Sequence, residues 1–305
     1  MPLTRATQRL RALKGASVRA AEPMSRHTSF RIGGKAAMLV ECDELSALTE
    51  ALEILAEEDV DWRVLGKGSN LLVSDEGYAG AVVVLGKDFR HFTTEDDELK
   101  TGAAVPLARL VQEAFSKGLS GLEFAVGIPG TVGGAIVMNA GSRDEWFDSV
   151  IRSVTVLEPG RGLVGLRRSE VSWGYRSTDL RSRGIVVEAS LRLEQGDPTK
   201  IRWAMERSLS RRKRTQPLSM PSAGSIFKNP VGDSAGRLIE AAGLKGMTVG
   251  GAQISETHAN FIVNLGTASA SDVLSVMERA RETVKEAFGV ELEPEIELLG
   301  EFGQP

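Results

Sequence analysis

Residues 61–86 read DWRVLGKGSNLLVSDEGYAGAVVVLG, and this stretch decides the fold. Its apolar runs are short and are separated by glycine clusters, a pattern typical of β-strands joined by tight turns. The stretch before it, LSALTEALEILAE at 45–57, instead places leucines at helical spacing. Strands and helices therefore mix without strict alternation, which predicts an α+β fold and not a doubly wound parallel sheet.

The same patterns predict elements along the rest of the chain. Helices are predicted at 107–117, 199–214, 234–242 and 271–288, and strands at 153–158, 184–194 and 260–265. One face of the last helix would consist of Val273, Met277, Ala280, Val284 and Phe288. A short N-terminal helix would use Leu3, Leu10 and Leu13, and an arginine-rich organellar transit peptide is the alternative.

The composition is that of an ordinary globular protein. The 305 residues are 42% apolar and 26% charged, and no stretch approaches the roughly 18 apolar residues that would span a membrane. A formal net charge of −4 gives no basic footprint for nucleic acid. With Cys42 as the one cysteine and only three histidines, we expect no intrachain disulfide and no zinc site.

The turn Gly66–Asn70, GKGSN, is the first candidate binding site. Consecutive N–H groups in a glycine-rich turn can bind an anion, and the missing Cβ atoms let a phosphate approach the backbone. Position 71 is Leu where the dinucleotide fingerprint requires Gly, and a strand, not a helix, follows. An ordinary hairpin turn is the structural alternative.

The second candidate is the glycine cluster at 127–141, part of the segment 121–141, GLEFAVGIPGTVGGAIVMNAG, which contains six glycines. Because glycine disfavours regular helices and strands, this density predicts a loop with short flanking elements. Its exposed peptide groups could lie against a large planar ligand, whereas a tight packing corner is the alternative. Two such loops flanked by strands suit a dinucleotide bound in an extended form.

Several polar residues outside these loops are candidate site residues. Arg176 follows Tyr175, where it is either a functional cation or a stacked surface residue. Glu295 lies in an apolar run, in which a carboxylate is seldom fully buried unless it is paired, and an edge position facing water is the alternative. His258 is either a site residue or a loop histidine without a role.

The sequence SIFK at 225–228 matches the SxxK pattern of serine acylases, and KTG occurs at 100–102. In those enzymes KTG follows the nucleophile, whereas here it precedes Ser225, and no SDN element is present. The order of these elements argues against a hydrolase.

Seven motifs together resemble one family. They are HTSFRIGGKAAMLVE at 27–41, VLGKGSNLLVSD at 64–75, GLEFAVGIPGTVGGAIVMNAGS at 121–142, WGYRSTDL at 173–180, PSAGSIFKNP at 221–230, GAQISETHANFIVN at 251–264 and EPEIELLG at 293–300. In this order they are similar to the UDP-N-acetylmuramate dehydrogenases, also called UDP-N-acetylenolpyruvoylglucosamine reductases, cytoplasmic flavoenzymes of peptidoglycan synthesis. Phe30 stands where many members carry Tyr, and the chain resembles the shorter class, which lacks a Tyr-bearing lid.

The resemblance implies a fold and a non-covalently bound FAD. The fold would be two FAD-binding α+β subdomains of the vanillyl-alcohol-oxidase type, at 1–85 and 86–200, and a C-terminal substrate domain at 201–305. The residues that would bind FAD are Gly66, Lys67, Gly68, Ser69, Asn70, Leu71, Ile128, Pro129, Gly130, Gly133, Ala135, Asn139 and Gly141.

The resemblance also implies a reaction. NADPH would reduce FAD, and the flavin N5 would pass hydride to the enolpyruvyl group of UDP-N-acetylglucosamine enolpyruvate. Arg176 and Glu295 would stabilise the enolate, and Ser225 would protonate it, while Tyr175, Lys228, Asn229 and His258 would bind the substrate. Two alternatives remain open, a related FAD-dependent oxidase of a sugar or hydroxy acid and a non-catalytic nucleotide-binding regulator.

Overall fold

The computed structural model describes residues 2–95, 98–142 and 145–303. The chain forms two compact units. The first unit comprises Met1–Ala20, Met38–Gly66 and Gly80–Arg211, and the second comprises Ala21–Ala37, Lys67–Ala79 and Arg212–Pro305. The division into three domains at 85/86 and 200/201 stays a prediction.

The elements mix helices and strands throughout. The helices are α1 (Pro2–Arg11), α2 (Leu45–Glu57), α3 (Leu107–Ser116), α4 (Val132–Val137), α5 (Leu180–Arg183), α6 (Pro198–Thr215), α7 (Ala235–Ala241) and α8 (Ala270–Phe288). The strands are β1 (Ala16–Pro23), β2 (Lys35–Cys42), β3 (Trp62–Val64), β4 (Leu71–Val73), β5 (Tyr78–Leu85), β6 (Phe92–Glu95), β7 (Glu98–Gly102), β8 (Leu119–Ser120), β9 (Gly141–Ser142), β10 (Glu145–Trp146), β11 (Ile151–Glu158), β12 (Gly162–Arg167), β13 (Trp173–Gly174), β14 (Ser177–Thr178), β15 (Ile185–Arg192), β16 (Glu194–Gln195), β17 (Thr248–Val249), β18 (Ala252–Ile254), β19 (Ile262–Asn264) and β20 (Glu297–Leu299).

Two sheets organise the first unit. One has the strand order β1-β2-β5-β3, with β3 and β5 parallel, and most of its residues lie in this unit. The other has the order β12-β11-β15-β7-β6, and each neighbouring pair is antiparallel. Parallel and antiparallel pairs thus occur together, as expected for an α+β chain without strict alternation.

The helix predicted at 45–57 is confirmed as α2, and its inward face is buried in the core of the first unit. Helix α1 departs from the prediction in part. Ala6 and Leu10 are fully buried, whereas Leu3 is 36% exposed. Leu3 lies on the same side of the helix, because residues three, four and seven positions apart share a face, but it stands in the first turn, at the end of that face.

The second unit packs α7 and α8 with the sheet β17-β18-β19. The predicted α8 face is correct except at its end. Val273, Met277, Ala280 and Val284 are buried, but Phe288 is 41% exposed because it is the last residue before the left-handed Gly289 that ends the helix. The helix begins with a capping box of Ser269 and Asp272.

Cys42 is fully buried in the first unit. Burial, and to a smaller extent the adjacent carboxylates of Asp43 and Glu41, raise the pKa of its thiol to about 12. The thiol is therefore protonated at neutral pH, and it is shielded from reagents.

No helix in the described part of the chain is long and apolar enough to cross a membrane.

Candidate functional site

The Gly66–Asn70 turn connects strands of different sheets. Strand β3 pairs with β5, whereas β4 pairs in parallel with β20, in the register Leu71 with Glu297. The hairpin alternative is therefore wrong, because the two strands that flank the turn do not pair with each other.

Gly68 occupies a position that only glycine can fill. Its φ is +57°, and a Cβ built on it would lie 2.2 Å from the carbonyl oxygen of His27. Its own carbonyl accepts a hydrogen bond of 3.1 Å from the Ser29 amide. Glycine is therefore required here by the close approach of the His27 backbone, and these contacts fix the conformation of the turn.

Gly66, in the first unit, also lies too close to a neighbouring side chain to carry a Cβ. A Cβ on Gly66 would lie 2.6 Å from Oγ1 of Thr131, in the second glycine-rich segment. The two predicted loops therefore meet at this point, and the sequence pattern gave no sign that Thr131 takes part.

The second glycine-rich segment is the predicted loop only in part. Residues Val132–Val137 form α4, with Gly133 and Gly134 inside it. Oγ1 of Thr131 accepts a hydrogen bond from the Gly134 amide and caps the helix. A Cβ on Gly133 would lie 2.9 Å from that of Ala103, so this glycine is required for close packing and does not break the helix.

Two predicted FAD ligands in α4 use their amides within the protein. The Gly133 amide donates to the Ala103 carbonyl and the Ala135 amide to the Thr131 carbonyl, both at 2.9 Å. Any contact of these two residues with a cofactor would thus be a packing contact. The other predicted positions in this segment before α4, Ile128 to Gly130, are partly or fully exposed.

Asn139, another predicted FAD ligand, is buried and has a φ of +41°. Its Oδ1 accepts from the Asp148 amide and its Nδ2 donates to the Gly174 carbonyl, both at 3.1 Å. Its side chain therefore ties the second segment to the turn that carries Arg176.

Arg176 lies in the two-residue turn of the β-hairpin Trp173–Thr178, which we name the arginine hairpin. Its φ of +55°, at the second turn position, is the sign found in type II turns, where Gly or Asn is usual. The guanidinium lies 5.4 Å from the ring centroid of Trp146 and 5.5 Å from that of Tyr175. Nη1 donates to the Gly141 carbonyl at 3.1 Å. Arginine in a strained backbone position is a feature of functional sites.

Ser225–Asn229, named the serine segment, lies in the second unit between two stretches of backbone. Ser225 forms a bridge with Phe261, and Phe227 forms one with Pro294. The Ile226 carbonyl accepts from the Glu295 amide at 2.7 Å. Ser225 and Glu295 are thus attached to adjoining backbone strips, as two residues acting on one group would need to be.

Glu295 is half-buried, and its backbone also connects to the first glycine-rich turn. Nδ2 of Asn70 donates to the Glu295 carbonyl at 3.1 Å. Within the second unit, the structure therefore brings Asn70, Glu295 and Ser225 together.

The predicted substrate ligands of the second unit are held by protein partners. Nζ of Lys228 pairs with Oε1 of Glu293 at 2.5 Å, and Oδ1 of Asn229 accepts from the Ala235 amide at 3.1 Å. Nδ1 of His258 accepts from the Asn260 amide at 3.2 Å, and its ring packs edge-on against Phe261.

The pKa of His258 is lowered by burial, and further by the positive charge of Lys245, while Glu240 acts in the opposite direction. A neutral ring with Nδ1 as acceptor fits the hydrogen bond that it receives.

Sequence reasoning missed two polar residues, Thr131 and Asn260. Each precedes a buried apolar run, and Thr131 also stands where a helix cap is expected, three residues before Gly134. Among the described residues, no group of three or more His, Cys, Asp or Glu is placed to bind a metal ion.

Two family models match the chain. The FAD binding domain model matches residues 36–164, and the model of the UDP-N-acetylenolpyruvoylglucosamine reductase C-terminal domain matches residues 216–299.

Related proteins match over nearly their whole length. The chain is 47% identical over 284 residues to UDP-N-acetylenolpyruvoylglucosamine reductase 2 of Symbiobacterium thermophilum, covering 93% of this chain and 92% of that one. It is 41% identical over 295 residues to the reductase of Bacillus subtilis strain 168, covering 96% and 97%. The crystal structure of the reductase from Thermus caldophilus superposes with a TM-score of 0.81 at 40% identity, covering 93% of this chain and 98% of the other.

These matches show an FAD-binding domain followed by the C-terminal domain of the reductases, and the mixed helices and strands confirm the predicted α+β class. They also confirm that the chain is an FAD-containing oxidoreductase. Because identity above 40% extends over more than nine-tenths of both chains in each pair of sequences, the protein belongs to the UDP-N-acetylenolpyruvoylglucosamine reductase family.

Proposed function

We propose that this enzyme reduces the enolpyruvyl group of UDP-N-acetylglucosamine enolpyruvate to give UDP-N-acetylmuramate, with NADPH as the reductant. The reaction would serve peptidoglycan synthesis in the cytoplasm, and through it cell-wall biogenesis, cell shape and division. The observation that carries the proposal is the 47% identity to a reductase of this name over 93% of the chain.

The glycine-rich turns fit the group that the family model implies. Gly66 and Gly68 approach neighbouring protein atoms so closely that a Cβ would clash, at 2.6 Å from Oγ1 of Thr131 and at 2.2 Å from the His27 carbonyl oxygen. These contacts fix the course of a turn whose N–H groups are proposed to bind the pyrophosphate. We assign the pyrophosphate of FAD to Gly66–Asn70 and the flavin ring to the segment from Ile128 to Gly141. Bound FAD supplies the hydride-transfer chemistry that amino-acid side chains lack.

Ser225 is the proposed proton donor. Hydride addition at the vinyl CH2 carbon leaves negative charge on the carbon next to the carboxylate, and Oγ of Ser225 would give its proton to that carbon. A hydroxyl is a weak acid, but an enolate is a strong base, so the transfer is favourable in this direction. Attachment of the serine segment to buried backbone on both sides supports a fixed position for Oγ.

Arg176 and Glu295 are proposed to stabilise the charge that develops on the substrate. A guanidinium stays protonated at any working pH, and its planar fork suits a carboxylate. Groups fixed in advance toward developing charge give the largest catalytic contribution. For Glu295, the proposed hydrogen bond to the enolate oxygen requires a protonated carboxyl.

Tyr175, Lys228, Asn229 and His258 are the proposed substrate ligands. Lys228 would bind the diphosphate of the uridine nucleotide, and for this its exposed partner Glu293 must release it. Tyr175 is exposed on the arginine hairpin, where its phenol can contact a ligand.

The proposal is tested with the visible spectrum of the purified enzyme. We expect the absorption bands of oxidised flavin, bleaching when NADPH is added without oxygen, and recovery when the enolpyruvyl substrate follows. Recovery with oxygen but not with the enolpyruvyl substrate would instead support an oxidase, and a colourless protein that takes up no FAD would refute the proposal.

The proton donor is tested by Ser225→Ala. NADPH should bleach the flavin of this variant at a near-normal rate, while reoxidation by the substrate should slow by about 10²–10⁴-fold, the usual effect of removing a general acid. Stopped-flow absorbance resolves the two half-reactions. If bleaching fails and reoxidation survives, Ser225 has a different role.

A further inference from the structure

We propose that Asn260 is a positioning residue that holds the hydroxyl of Ser225 in place for proton transfer. The inference rests on the proposed function, because it gives Asn260 a role only through Ser225.

Asn260 forms hydrogen bonds with the serine segment through its backbone carbonyl and through both the oxygen and the nitrogen of its side-chain amide. Its carbonyl accepts from the Ile226 amide at 2.9 Å. Its Oδ1 accepts from the Phe227 amide at 3.0 Å, and its Nδ2 donates to the Phe227 carbonyl at 2.8 Å. One residue thus bonds three polar groups of the backbone that follows Ser225, the Ile226 amide and both polar groups of Phe227.

The opposite side of the same backbone is held by the strip that contains Glu295. The Ile226 carbonyl accepts from the Glu295 amide at 2.7 Å, and the Lys228 amide donates to the Glu293 carbonyl at 2.8 Å. The residues between Ser225 and Lys228 therefore have their backbone groups bonded on both sides. A displacement on the Asn260 side would move Ser225 relative to Glu295.

The surroundings make these bonds strong and hard to replace. Asn260 is 3% exposed, and the side chains of Ile226 and Phe227 are buried beside it. Water does not compete for hydrogen bonds in such a place, and an amide left there without partners would be costly. His258 also helps to hold Asn260 in place, because its Nδ1 accepts a hydrogen bond from the backbone N–H of Asn260.

Positioning of this kind affects the rate because proton transfer depends steeply on geometry. A misplacement of about 1 Å can lower a rate by about 10²-fold. The side chain of Asn260 needs no contact with the substrate for this effect, so it is distinct from the proposed ligands Lys228 and Asn229.

The test variant is Asn260→Ser, which removes both amide bonds without adding a charge. In the flavin-loaded enzyme, NADPH should bleach the flavin at the normal rate, and reoxidation by the enolpyruvyl substrate should slow by about 10–10²-fold. The solvent deuterium isotope effect on reoxidation should rise, because proton transfer then limits the rate. A variant that slows both half-reactions equally, or neither, would overturn the proposal.

Asn264→Ser is the matched control. Asn264 is also buried, in the neighbouring strand, and its amide makes three bonds, to the Phe30 carbonyl and from the Gly266 and Ala268 amides. None of these partners belongs to the serine segment. The control should lower the melting temperature to a similar extent and leave the ratio of the two half-reaction rates unchanged.

A double variant separates this inference from the proposed function. In the Ser225→Ala background, Asn260→Ser should slow reoxidation no further, since its route of action is already removed. If Ser225→Ala alone reoxidises normally, the proposed proton donor is wrong. If Ser225→Ala is slow and Asn260→Ser slows it further by the full factor, only the positioning role is wrong.

If Asn260→Ser does not retain flavin, Asn260→Asp takes its place in the same measurements. It keeps the shape and the acceptor for the Phe227 amide and loses the donor to the Phe227 carbonyl. Selective slowing of reoxidation would again support the proposal, and unchanged reoxidation would refute it.

Discussion

The arginine hairpin and the serine segment carry proposed catalytic side chains but are held in different ways. Ile226 and Phe227 of the serine segment are buried, and the backbone of the segment is hydrogen-bonded on both sides. The arginine hairpin is a two-residue turn, with Arg176 at φ +55° and with aromatic rings beside the guanidinium. The proposed proton donor is therefore held by backbone hydrogen bonds, whereas the proposed stabilising cation lies on a strained two-residue turn.

The difference suggests that the two regions respond differently to substitution. A weak acid such as Ser225 acts over one short distance, so its backbone must be rigid. A guanidinium stabilises charge through several N–H donors, so its effect depends less on the position of a single atom. A change at the arginine hairpin can therefore lower the rate without lowering the stability, and four variants test this comparison.

The largest effect is expected for Arg176→Lys. Turnover should fall by about 10²–10³-fold, the loss usual for one fixed donor to developing charge, although the positive charge remains. The backbone strain is unchanged, so the melting temperature should shift little. Steady-state kinetics with thermal unfolding measures both. Normal turnover would show that charge alone suffices, and would remove the planar fork from the mechanism.

A medium effect is expected for Asn139→Gly. Glycine accepts the φ of +41° without strain, so the variant removes only the bonds to the Asp148 amide and the Gly174 carbonyl. The free energy of unfolding should fall by about 1–3 kcal/mol, because buried partners are left unsatisfied. Denaturant titration measures this loss.

Arg176→Gly is the companion variant, because glycine suits the φ of that position too. Glycine relieves the backbone strain at φ +55°, which offsets part of the loss of the guanidinium contacts, so the free energy of unfolding should fall less than that of Asn139→Gly. Equal destabilisation by the two glycine variants would mean that the hairpin depends on the arginine contacts, and the contrast with the serine segment would be lost.

The smallest effect is expected for Asp233→Asn, just after the serine segment. Hydrogen bonding to the Arg237 guanidinium, and then to the Ser234 amide, lowers the pKa of Asp233 from 3.8 to about 2. The ionised form is thus favoured in the folded state, and its stabilisation is present above pH 3.8 and is lost as the pH falls toward 2.

The stability of Asp233→Asn should therefore decline less steeply than that of the parent between these pH values. The pair is exposed, so the difference should be small and should shrink in high salt. Asp61→Asn controls for the loss of one negative charge. A variant with an unchanged acid profile would exclude a stabilising role for the pair.

The sequence was sufficient for elements whose pattern is local. The leucine spacing of α2 and the alternation of apolar runs and glycines around Gly68 both predict what the fold contains. The sequence was not sufficient where contacts between residues far apart in the chain determine which element forms. Glycine content predicted a loop over 132–137, but the close approach of Ala103 and the cap from Thr131 make a helix there.

The candidate site follows the same rule. Ser225, Arg176 and Glu295 were found because the motifs around them resemble a known family. Asn260 was not found, since its partners at 226–227 lie more than thirty positions earlier in the chain and its own neighbours show no pattern. Hydrogen-bonding partners so far apart cannot be inferred from spacing in one sequence.

The burial of Cys42 has a practical consequence for spectroscopy. Its thiol is protonated and shielded, so maleimide reagents should find no target in the native protein. A single cysteine introduced at the fully exposed Val231, two residues after the serine segment, could then carry the one fluorophore or spin label in the molecule. Motion beside the proposed proton donor could be recorded without first removing a native residue.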